Sequence, residues 1–226
     1  MKNWQITGFL AILILGFLLT CGCITTPQPE TPAQPTSQPK TVIFSDDLSQ
    51  SRTEWNAVNE TSNGKIFYSE GSLHILDNNP PRMMMSLRLN KNFNDFILDV
   101  DTKAINGTLN NYQGLFFRDN GAGNYYGAAI SADGYYAIQR YENTTIQNLA
   151  GPYGIFSNYI NTGINATNHI HLEVNNNTIS LSVNGHHLRT VTDNSYKEGA
   201  VELTAQSLTP NSSTEVIFNN FTITKF

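Results

Sequence analysis

The chain has 226 residues, of which only 14% are charged, and its formal net charge is −5. Lysine and arginine are scattered along it, so it lacks the basic patch with which nucleic-acid-binding proteins neutralise phosphates. The only cysteines are Cys21 and Cys23. The chain beyond them therefore has no disulfide, no Cys-based zinc site and no catalytic thiol.

The first 23 residues have the pattern of an export signal. Lys2 precedes an apolar run over residues 6–19, and small residues follow it. Gly22-Cys23 resembles the lipobox of prokaryotic lipoproteins, in which Cys23 would become the lipid-modified N-terminus. An uncleaved anchor is the main alternative, although a spanning helix needs about 20 apolar residues; a plain cleaved signal is the third. We predict export and attachment, through membrane lipid, to the outer side of the cell membrane.

Residues 24–40 predict a disordered linker. Pro, Thr, Gln and Ser dominate residues 25–40, which contain no large apolar side chain. Such a segment cannot bury enough surface to offset its ordering entropy. Its prolines favour extended conformations of about 3 Å per residue, so it could hold the following domain up to ~50 Å from a membrane.

Residues 41–226 predict one all-β domain. Short runs rich in β-branched and aromatic residues alternate with turn residues, and no stretch of ten or more has helical apolar spacing. The predicted strands are 41–44, 65–68, 72–77, 83–89, 96–104, 113–118, 125–131, 135–141, 169–174, 178–183, 187–191, 200–205 and 215–224. These are too many for one open sheet, so we predict two stacked antiparallel sheets.

Two turn sequences predict hairpins. Asn184-Gly185 supplies the positive φ angles of a two-residue turn between strands 178–183 and 187–191. Around Asp133-Gly134, a two-residue loop would place the even-numbered residues of strand 125–131 beside odd-numbered residues of strand 135–141. A three-residue loop with a left-handed Gly134 would place them beside even-numbered ones. The second pairing gives the more apolar face, so we predict that register.

Several signatures follow one another along residues 41–226. They are Phe44-Ser-Asp-Asp-Leu-Ser, Gly114-Leu-Phe-Phe-Arg118, Asn124-Tyr-Tyr with Ala132-Asp-Gly-Tyr-Tyr, Val183-Asn-Gly-His-His-Leu188 and Val216-Ile-Phe-Asn-Asn-Phe221. Together they resemble the concanavalin A-like lectin/glucanase superfamily, most closely its laminin-G-like and glycoside-hydrolase-16-like modules on prokaryotic surface proteins. The resemblance implies an antiparallel jelly-roll sandwich with a concave face that often binds sugars.

Strand alternation predicts one outer face that carries the candidate ligand-binding residues. If strands 96–104, 113–118 and the 125–141 hairpin are neighbours, their outward side chains share a surface. These side chains are Asp99, Asp101, Phe116, Arg118, Tyr125, Tyr135, Gln139 and Tyr141. Aromatic rings contact the C–H faces of sugars while Asp, Arg and Gln bond to hydroxyls. The alternative is an ordinary solvated sheet face with cross-strand pairs.

The sequence of the predicted strand 96–104 does not match a glycosidase motif. Glycosidases of the resembling families carry Glu-x-Asp-x-x-Glu or Glu-x-Asp-x-Glu on one strand, as nucleophile and acid. Here the strand reads Asp99-Val-Asp101-Thr-Lys103, which lacks both Glu residues and has a cation where a second acid is needed. We therefore expect no enzymatic activity.

The resemblance also implies a structural calcium ion, held by the N-terminal acidic segment and an Asp on the last strand. Asp46 and Asp47 fit the first part, whereas Asn219 or Asn220 replaces the Asp and offers only a carbonyl oxygen. We expect no cofactor, with this calcium site as a weak candidate. The histidines, including His169 and His171, show no carboxylate–histidine spacing typical of a metal site.

Seven Asn-x-Ser/Thr sequons occur in the chain. The candidate glycosylation sites are Asn59, Asn106, Asn143, Asn165, Asn176 and Asn211; the seventh, Asn220, lies in a predicted strand and suits glycosylation least. Chance occurrence in an Asn- and Thr-rich sequence is the alternative.

Together these features predict a monomeric, membrane-anchored, cell-surface lectin-like module that binds glycans or cell-envelope polymers without chemistry. A structural or adhesion module that binds another protein, through loops such as residues 143–167, is the alternative. A divergent glycosidase that uses Asp99 and Asp101 is the third.

Overall fold

The computed structural model describes residues 40–56, 60–78, 85–143, 145–151, 154–208 and 212–226, which form sixteen β-strands and no helix. None of these residues belongs to a helix that could cross a membrane. The strands are β1 (Val42–Asp46), β2 (Glu60–Thr61), β3 (Gly64–Ser69), β4 (Ser72–Asp77), β5 (Met85–Phe93), β6 (Phe96–Gly107), β7 (Tyr112–Asp119), β8 (Asn124–Ser131), β9 (Tyr135–Glu142), β10 (Thr145–Asn148), β11 (Ile155–Phe156), β12 (Thr167–Asn175), β13 (Thr178–Val183), β14 (His186–Thr192), β15 (Gly199–Gln206) and β16 (Thr214–Lys225).

All the predicted strands are present, and β2, β10 and β11 are short additions. The export signal, with Cys23, and the linker as far as residue 39 lie outside the described residues. Their roles stay predictions.

The strands form two antiparallel sheets, as predicted. The nine-stranded sheet has the order β14-β13-β12-β6-β16-β4-β3-β2, with β1 on β16. The seven-stranded sheet has the order β10-β9-β8-β7-β15-β5, with β11 on β9. Neighbours such as β6 and β16 are far apart in sequence, so connections cross repeatedly from one sheet to the other.

The core lies between the sheets and is built by side chains that alternate along the strands. Leu98 and Val100 of β6 are fully buried and meet the core side of β7, where Leu115 and Phe117 are also buried. Residues between them point to the opposite face of their strand. Each sheet therefore has one apolar inner face and one outer face, and the outer faces can carry chemistry.

Both predicted hairpins are confirmed. Val183 pairs with His186, which leaves the two-residue loop Asn184-Gly185 with φ angles of 53° and 78°. Ile130 pairs with Tyr136, so even-numbered residues of β8 oppose even-numbered residues of β9. Gly134 adopts φ 93° in that loop, a conformation that glycine reaches at little cost.

Candidate functional site

The predicted single ligand-binding face is wrong, because its strands belong to different sheets. β6 pairs with β12 and β16, which places Asp99 and Asp101 on the outer face of the nine-stranded sheet. β7, β8 and β9 are neighbours in the seven-stranded sheet and carry Phe116 and Tyr125 on its outer face. Alternation correctly predicts which side chains leave the core of each strand, but not which strands are adjacent.

Arg118 was also placed wrongly on the outer face. Its side chain is 1% exposed, and its φ of 50° is left-handed, which breaks the alternation of β7 at this residue. The guanidinium donates to three backbone carbonyls, those of Asn94 (2.9 Å), Asn176 (2.8 Å) and Tyr196 (3.0 Å). It also donates to the Asp95 carboxylate at 3.1 Å. Arg118 therefore ties together three connections at one end of the sandwich.

Burial lowers the pKa of Arg118, while the Asp95 carboxylate opposes that shift. Asp95 also accepts a hydrogen bond of 2.8 Å from the backbone N–H of Asn176. Because every contact of this guanidinium is internal, Arg118 has a structural role and is not a ligand-binding residue.

Three aromatic residues form the centre of the seven-stranded sheet's outer face, here called the ring cluster: Phe116, Tyr125 and Tyr141. The Tyr125 and Tyr141 rings stack with centroids 4.6 Å apart, and the Phe116 ring lies 4.7 Å from Tyr125. Phe116 and Tyr141 are buried, whereas Tyr125 is only partly buried. Tyr125 therefore presents the ring, and the other two support it.

Gly127 makes room for this cluster. A Cβ atom at this position would lie 3.0 Å from Cε2 of Tyr141 and 3.4 Å from Cδ1 of Phe116. Contacts that short would force the rings to shift. The absence of a side chain at Gly127 therefore allows the rings to lie close to the backbone of β8.

The remaining residues of the predicted face divide between two places. Gln139 lies beside the ring cluster, where its Oε1 accepts a hydrogen bond of 2.8 Å from the Tyr141 hydroxyl and its amide donates to Asn148 at 2.7 Å. Tyr135 begins β9 at the opposite end of that strand, and its ring contacts Phe156 at 5.6 Å. Phe116, Tyr125, Gln139 and Tyr141 thus form one site, and Tyr135 is not part of it.

Beside the ring cluster is a cleft of about 450 Å³ that we call the arginine cleft. Its lining residues are Ser86, Arg88, Phe116, Asp119, Gly121, Gly123, Tyr125 and Glu202. Arg88 forms ion pairs with two other lining residues, Asp119 and Glu202, the latter at 3.1 Å. One guanidinium is thus held between two carboxylates beside an aromatic ring.

Sequence reasoning missed Arg88 and Glu202, although alternation could have identified their orientation. Leu87 and Leu89 are buried on β5, so Arg88 between them points outward; Glu202 similarly lies between buried Val201 and Leu203. What it could not show is that β15 lies between β5 and β7, which brings Arg88 and Glu202 to Phe116.

The Tyr125 phenol is suited to donate a hydrogen bond in this cleft. Burial and, second, the negative charge of Glu202 raise the pKa of Tyr125 to about 12. The hydroxyl is therefore protonated at neutral pH. The arginine cleft then offers a ring face, an O–H donor, guanidinium donors and carboxylate acceptors.

The outer face of the nine-stranded sheet carries a different arrangement, here called the histidine–carboxylate ladder: Asp99, Asp101, His169, His171 and Glu173. Acidic and imidazole groups alternate along it. Asp101 contacts His169 at 2.8 Å, His169 contacts Asp99 at 3.1 Å and His171 contacts Asp99 at 2.7 Å. His171 also reaches Glu173 at 3.3 Å. Asp99 and Asp101 are therefore occupied by histidines.

These contacts shift two pKa values. The hydrogen bond to Asp99 outweighs partial burial and raises the pKa of His171. Partial burial alone would raise the pKa of Asp99, but its hydrogen bonds with His171 and His169 lower it. Both shifts favour the charged pair. Among the described residues, no group of three or more His, Cys, Asp or Glu could hold a metal ion.

The residues proposed for calcium have other partners. The Asp46 carboxylate is buried and accepts hydrogen bonds from the Leu48 N–H at 2.9 Å and the Trp55 indole at 2.8 Å. Asn219 contacts Ser72 at 3.0 Å. N–H donors compete with a cation for carboxylate oxygens, so the surroundings of Asp46 do not fit calcium well. The site stays a prediction, as does Asp47, whose carboxylate accepts from Ser49.

Backbone conformation explains why asparagine occupies several of the sequon positions. Four of their asparagines have positive φ angles: Asn143, Asn165, Asn176 and Asn220. Asparagine tolerates this left-handed conformation better than most residues. Asn106 is the last residue but one of β6, and its side chain accepts a hydrogen bond from the Gly107 N–H. Asn59 and Asn211 lie outside the described residues. Glycosylation of the six candidates stays a prediction.

No family model and no curated protein matches this chain. Solved structures do. The carbohydrate binding module CBM66 from Bacillus subtilis is 19% identical, with a TM-score of 0.53, and the match covers 76% of this chain and 96% of that one. A Bacillus licheniformis beta-glucanase is 12% identical, with a TM-score of 0.59, and covers 81% of this chain and 98% of its own.

A Bacillus subtilis protein with a galectin-like fold gives the same TM-score of 0.59 at 12% identity, over 82% of this chain and 96% of its own. The similar structures therefore include both a binding module and an enzyme. At these identities the matches establish the fold and leave the activity open. The protein has a two-sheet antiparallel jelly-roll sandwich fold, which it shares with these solved structures.

Proposed function

We propose that this protein is a non-catalytic glycan-binding module, displayed at the cell surface by its N-terminal segment, and that the arginine cleft is its binding site. The observation that carries the proposal is the position of Arg88, between two carboxylates and within the cleft that Tyr125 lines. The match to a carbohydrate binding module supports it at the level of the fold.

The chemistry of the cleft suits a sugar ring. The partly exposed face of Tyr125 can contact the C–H groups of a pyranose or furanose. Arg88 donates to hydroxyls, while Asp119 and Glu202 accept from them. Because Tyr125 is stacked on Tyr141 at 4.6 Å and supported by Phe116, the ring is already in position before a ligand arrives. Such preorganisation lowers the entropic cost of binding.

The pairing of the carboxylates supports binding rather than hydrolysis. A glycosidase needs one carboxylic acid that keeps a proton and one charged carboxylate. Here Asp119 and Glu202 both form ion pairs with the same guanidinium, that of Arg88, so the structure does not set one of them apart as an acid and the other as a nucleophile. Asp99 and Asp101, the carboxylates of the sequence-based alternative, lie on the other sheet and contact histidines.

Attachment at the cell surface rests on residues 1–40 of the sequence. The apolar run, Gly22-Cys23 and the Pro/Thr-rich linker would place the domain outside the membrane and at a distance from it. Mass spectrometry of the mature N-terminus tests this part. A lipid-modified Cys23 is the expected result, and an intact Met1 or an unmodified Cys23 contradicts it.

A glycan array tests the binding site. We expect Tyr125→Ala and Arg88→Gln each to weaken binding about tenfold, since each removes an interaction of about 1–1.5 kcal/mol. Phe67→Ala is the matched control, because it removes a ring from the outer face of the other sheet, where Phe67 stacks on His74. Glycan binding that survives both cleft variants contradicts the proposed site. Capture of a protein, with no glycan bound, favours the adhesion alternative.

Release of reducing ends from the bound glycan tests the non-catalytic part. We expect none above background. Release that disappears in Glu202→Gln or Asp119→Asn would establish a glycosidase in the arginine cleft, and release that disappears in Asp99→Asn would place it on the other sheet.

A further inference from the structure

A second cleft lies at the opposite end of β8 from the arginine cleft. It measures about 350 Å³, and its walls include Phe156, Asn158, Tyr159, His187 and Leu188. Tyr136 forms its floor: this side chain is buried between the sheets and its hydroxyl donates to the Leu188 carbonyl at 3.3 Å. We call it the tyrosine cleft. Tyr125 lines the arginine cleft, and Ile130 of the same strand pairs with Tyr136, so at about 3.3 Å per residue the two clefts are roughly 17 Å apart along β8.

Exposed aromatic rings are concentrated at this end of the molecule. Phe156 is 58% exposed, Tyr159 46% and Tyr135 41%. The Tyr159 ring stacks on His186 at 4.1 Å with an angle of 9°, which leaves its other face free of that contact, and Phe156 lies edge-on to Tyr135. Aromatic rings in water have an unfavourable hydration cost unless a ligand covers them. Two of these rings, Phe156 and Tyr159, line the cleft, and an exposed apolar patch of this kind favours a ligand-binding role.

The segment that carries these rings is held rigidly. Phe156 pairs with Tyr135 in the sheet, and Ser157 donates its N–H to the Gly134 carbonyl at 2.9 Å. The Asn184 amide donates to the Tyr159 carbonyl at 2.8 Å. The backbone that carries both rings is therefore held in place, and a ligand would bind them without ordering a loop.

The composition of the walls indicates which ligand fits. The described residues that line the cleft include no Lys, Arg, Asp or Glu, and His187 carries the one imidazole among them. Hydrogen-bonding groups nevertheless interrupt the apolar surface, namely the amide of Asn158, the hydroxyl of Ser157 and the imidazole of His187. A protein partner would need a larger continuous apolar core. A neutral sugar unit needs ring faces and uncharged polar groups.

We propose that the tyrosine cleft is a second binding site, specific for an uncharged glycan unit, and that it acts independently of the arginine cleft. Tyr159 stacks on the sugar ring, Phe156 contacts its edge, and Asn158 and His187 bond to its hydroxyls. With two sites roughly 17 Å apart on one domain, a single polysaccharide chain can bind twice, which raises its apparent affinity.

An array of neutral oligosaccharides, including glucans, mannans, galactans and fructans, tests this site in the full-length protein. We expect Tyr159→Ala and Phe156→Ala each to weaken binding of at least one neutral glycan about tenfold. Tyr159→Phe keeps the ring and is expected to retain binding within about twofold. Since the rings are exposed, melting temperatures of all three variants should stay within about 2 °C of the wild type.

The arginine-cleft variant Tyr125→Ala separates the two sites. If a neutral glycan still binds Tyr125→Ala but no longer binds Tyr159→Ala, the tyrosine cleft is a binding site, whether or not the arginine cleft is one. Binding that is lost only in Tyr125→Ala overturns this inference and leaves the proposed function intact. Failure of every neutral glycan to bind also overturns it. So does a concentration-dependent dimer in sedimentation that Phe156→Ala abolishes, because the rings would then cover a second copy of the chain.

Discussion

The outer faces of the two sheets differ in how they use polar groups. On the seven-stranded sheet, Arg88 and two carboxylates line a cleft beside Tyr125, and the aromatic ring cluster supports that ring. On the nine-stranded sheet, the histidine–carboxylate ladder is a continuous row in which Asp99 contacts both His169 and His171. The first face combines a ring with charged groups around a cavity, whereas the second pairs its charges with one another along the surface.

This difference shows which polar residues can bind a ligand. Charge alone does not distinguish the faces, since both carry acidic and basic groups. What distinguishes them is a ring in a fixed position next to those groups, with an open volume of about 450 Å³ in front of it. The ladder has the candidate residues Asp99 and Asp101, but its contacts are those of a structural pairing.

The Arg118 side chain lies on neither outer face, so its removal should destabilise the whole domain. We expect Arg118→Ala to lower the free energy of unfolding by about 3–5 kcal/mol, because three carbonyls and Asp95 lose a buried charged donor. Urea unfolding measures this. Arg189→Ala, which removes an exposed arginine, is the matched control and should cost less than about 0.5 kcal/mol. Equal losses of unfolding free energy in the two variants would contradict the structural role of Arg118.

Gly127→Val breaks the seven-stranded face selectively. The added methyl groups would displace the Tyr141 and Phe116 rings, which support Tyr125. We expect glycan binding at the arginine cleft to weaken about tenfold, with a cost of about 1–2 kcal/mol in unfolding free energy. Ala129→Val is the control on the same face of β8. Unchanged binding in Gly127→Val would show that the ring cluster has no role in the site.

Asn220→Ala tests the nine-stranded face. Asn220 has a φ of 55° and its amide donates to Asp101 at 2.7 Å. Alanine loses the hydrogen bond and adopts the left-handed conformation less readily, so we expect about 1 kcal/mol lower stability and unchanged glycan binding. Asn220→Gly restores the conformation but not the hydrogen bond and should recover part of the loss. A loss of glycan binding in Asn220→Ala would contradict the separation of the two faces.

The ladder should make a small, pH-dependent contribution. Because the pKa of His171 is raised in the folded state, the protonated His171 stabilises the fold. This stabilisation is fully present below pH 6.5, the ordinary pKa of histidine, and is lost as the pH rises through the folded pKa. Because the pKa of Asp99 is lowered in the folded state, the charged Asp99 stabilises the fold above pH 3.8, and this stabilisation is lost as the pH falls through the folded pKa. The pair therefore contributes most between about pH 4 and 6.5.

Asp99→Asn measures that contribution. Because the pair is partly exposed, we expect less than about 1 kcal/mol, which corresponds to a decrease of roughly 2–4 °C in melting temperature near pH 5.5. The decrease should shrink toward pH 9. Glu60→Gln, which removes an exposed partner of Lys65 in the same sheet, is the control. A difference in melting temperature that grows toward pH 9 would contradict a stabilising role for the ladder.

The sequence alone determined the strands, the inward and outward sides of most of them, and the two hairpin registers. These features are local: alternation has a period of two, and Asn184-Gly185 and Gly134 impose their own turn geometry. It thereby placed Phe116, Tyr125, Gln139 and Tyr141 together, since β7, β8 and β9 follow one another in the chain and in the sheet.

The positions of the other site residues depend on the three-dimensional fold, because pairing between distant strands is not encoded in any short pattern. β6 joins β12 and β16, which separates Asp99 and Asp101 from the ring cluster; β15 joins β5 to β7, which brings Arg88 and Glu202 to it. The left-handed backbone at Arg118 reverses one side chain against the alternation of its strand. Strand order and this one dihedral angle, both set by packing across the whole domain, determined where the candidate sites lie.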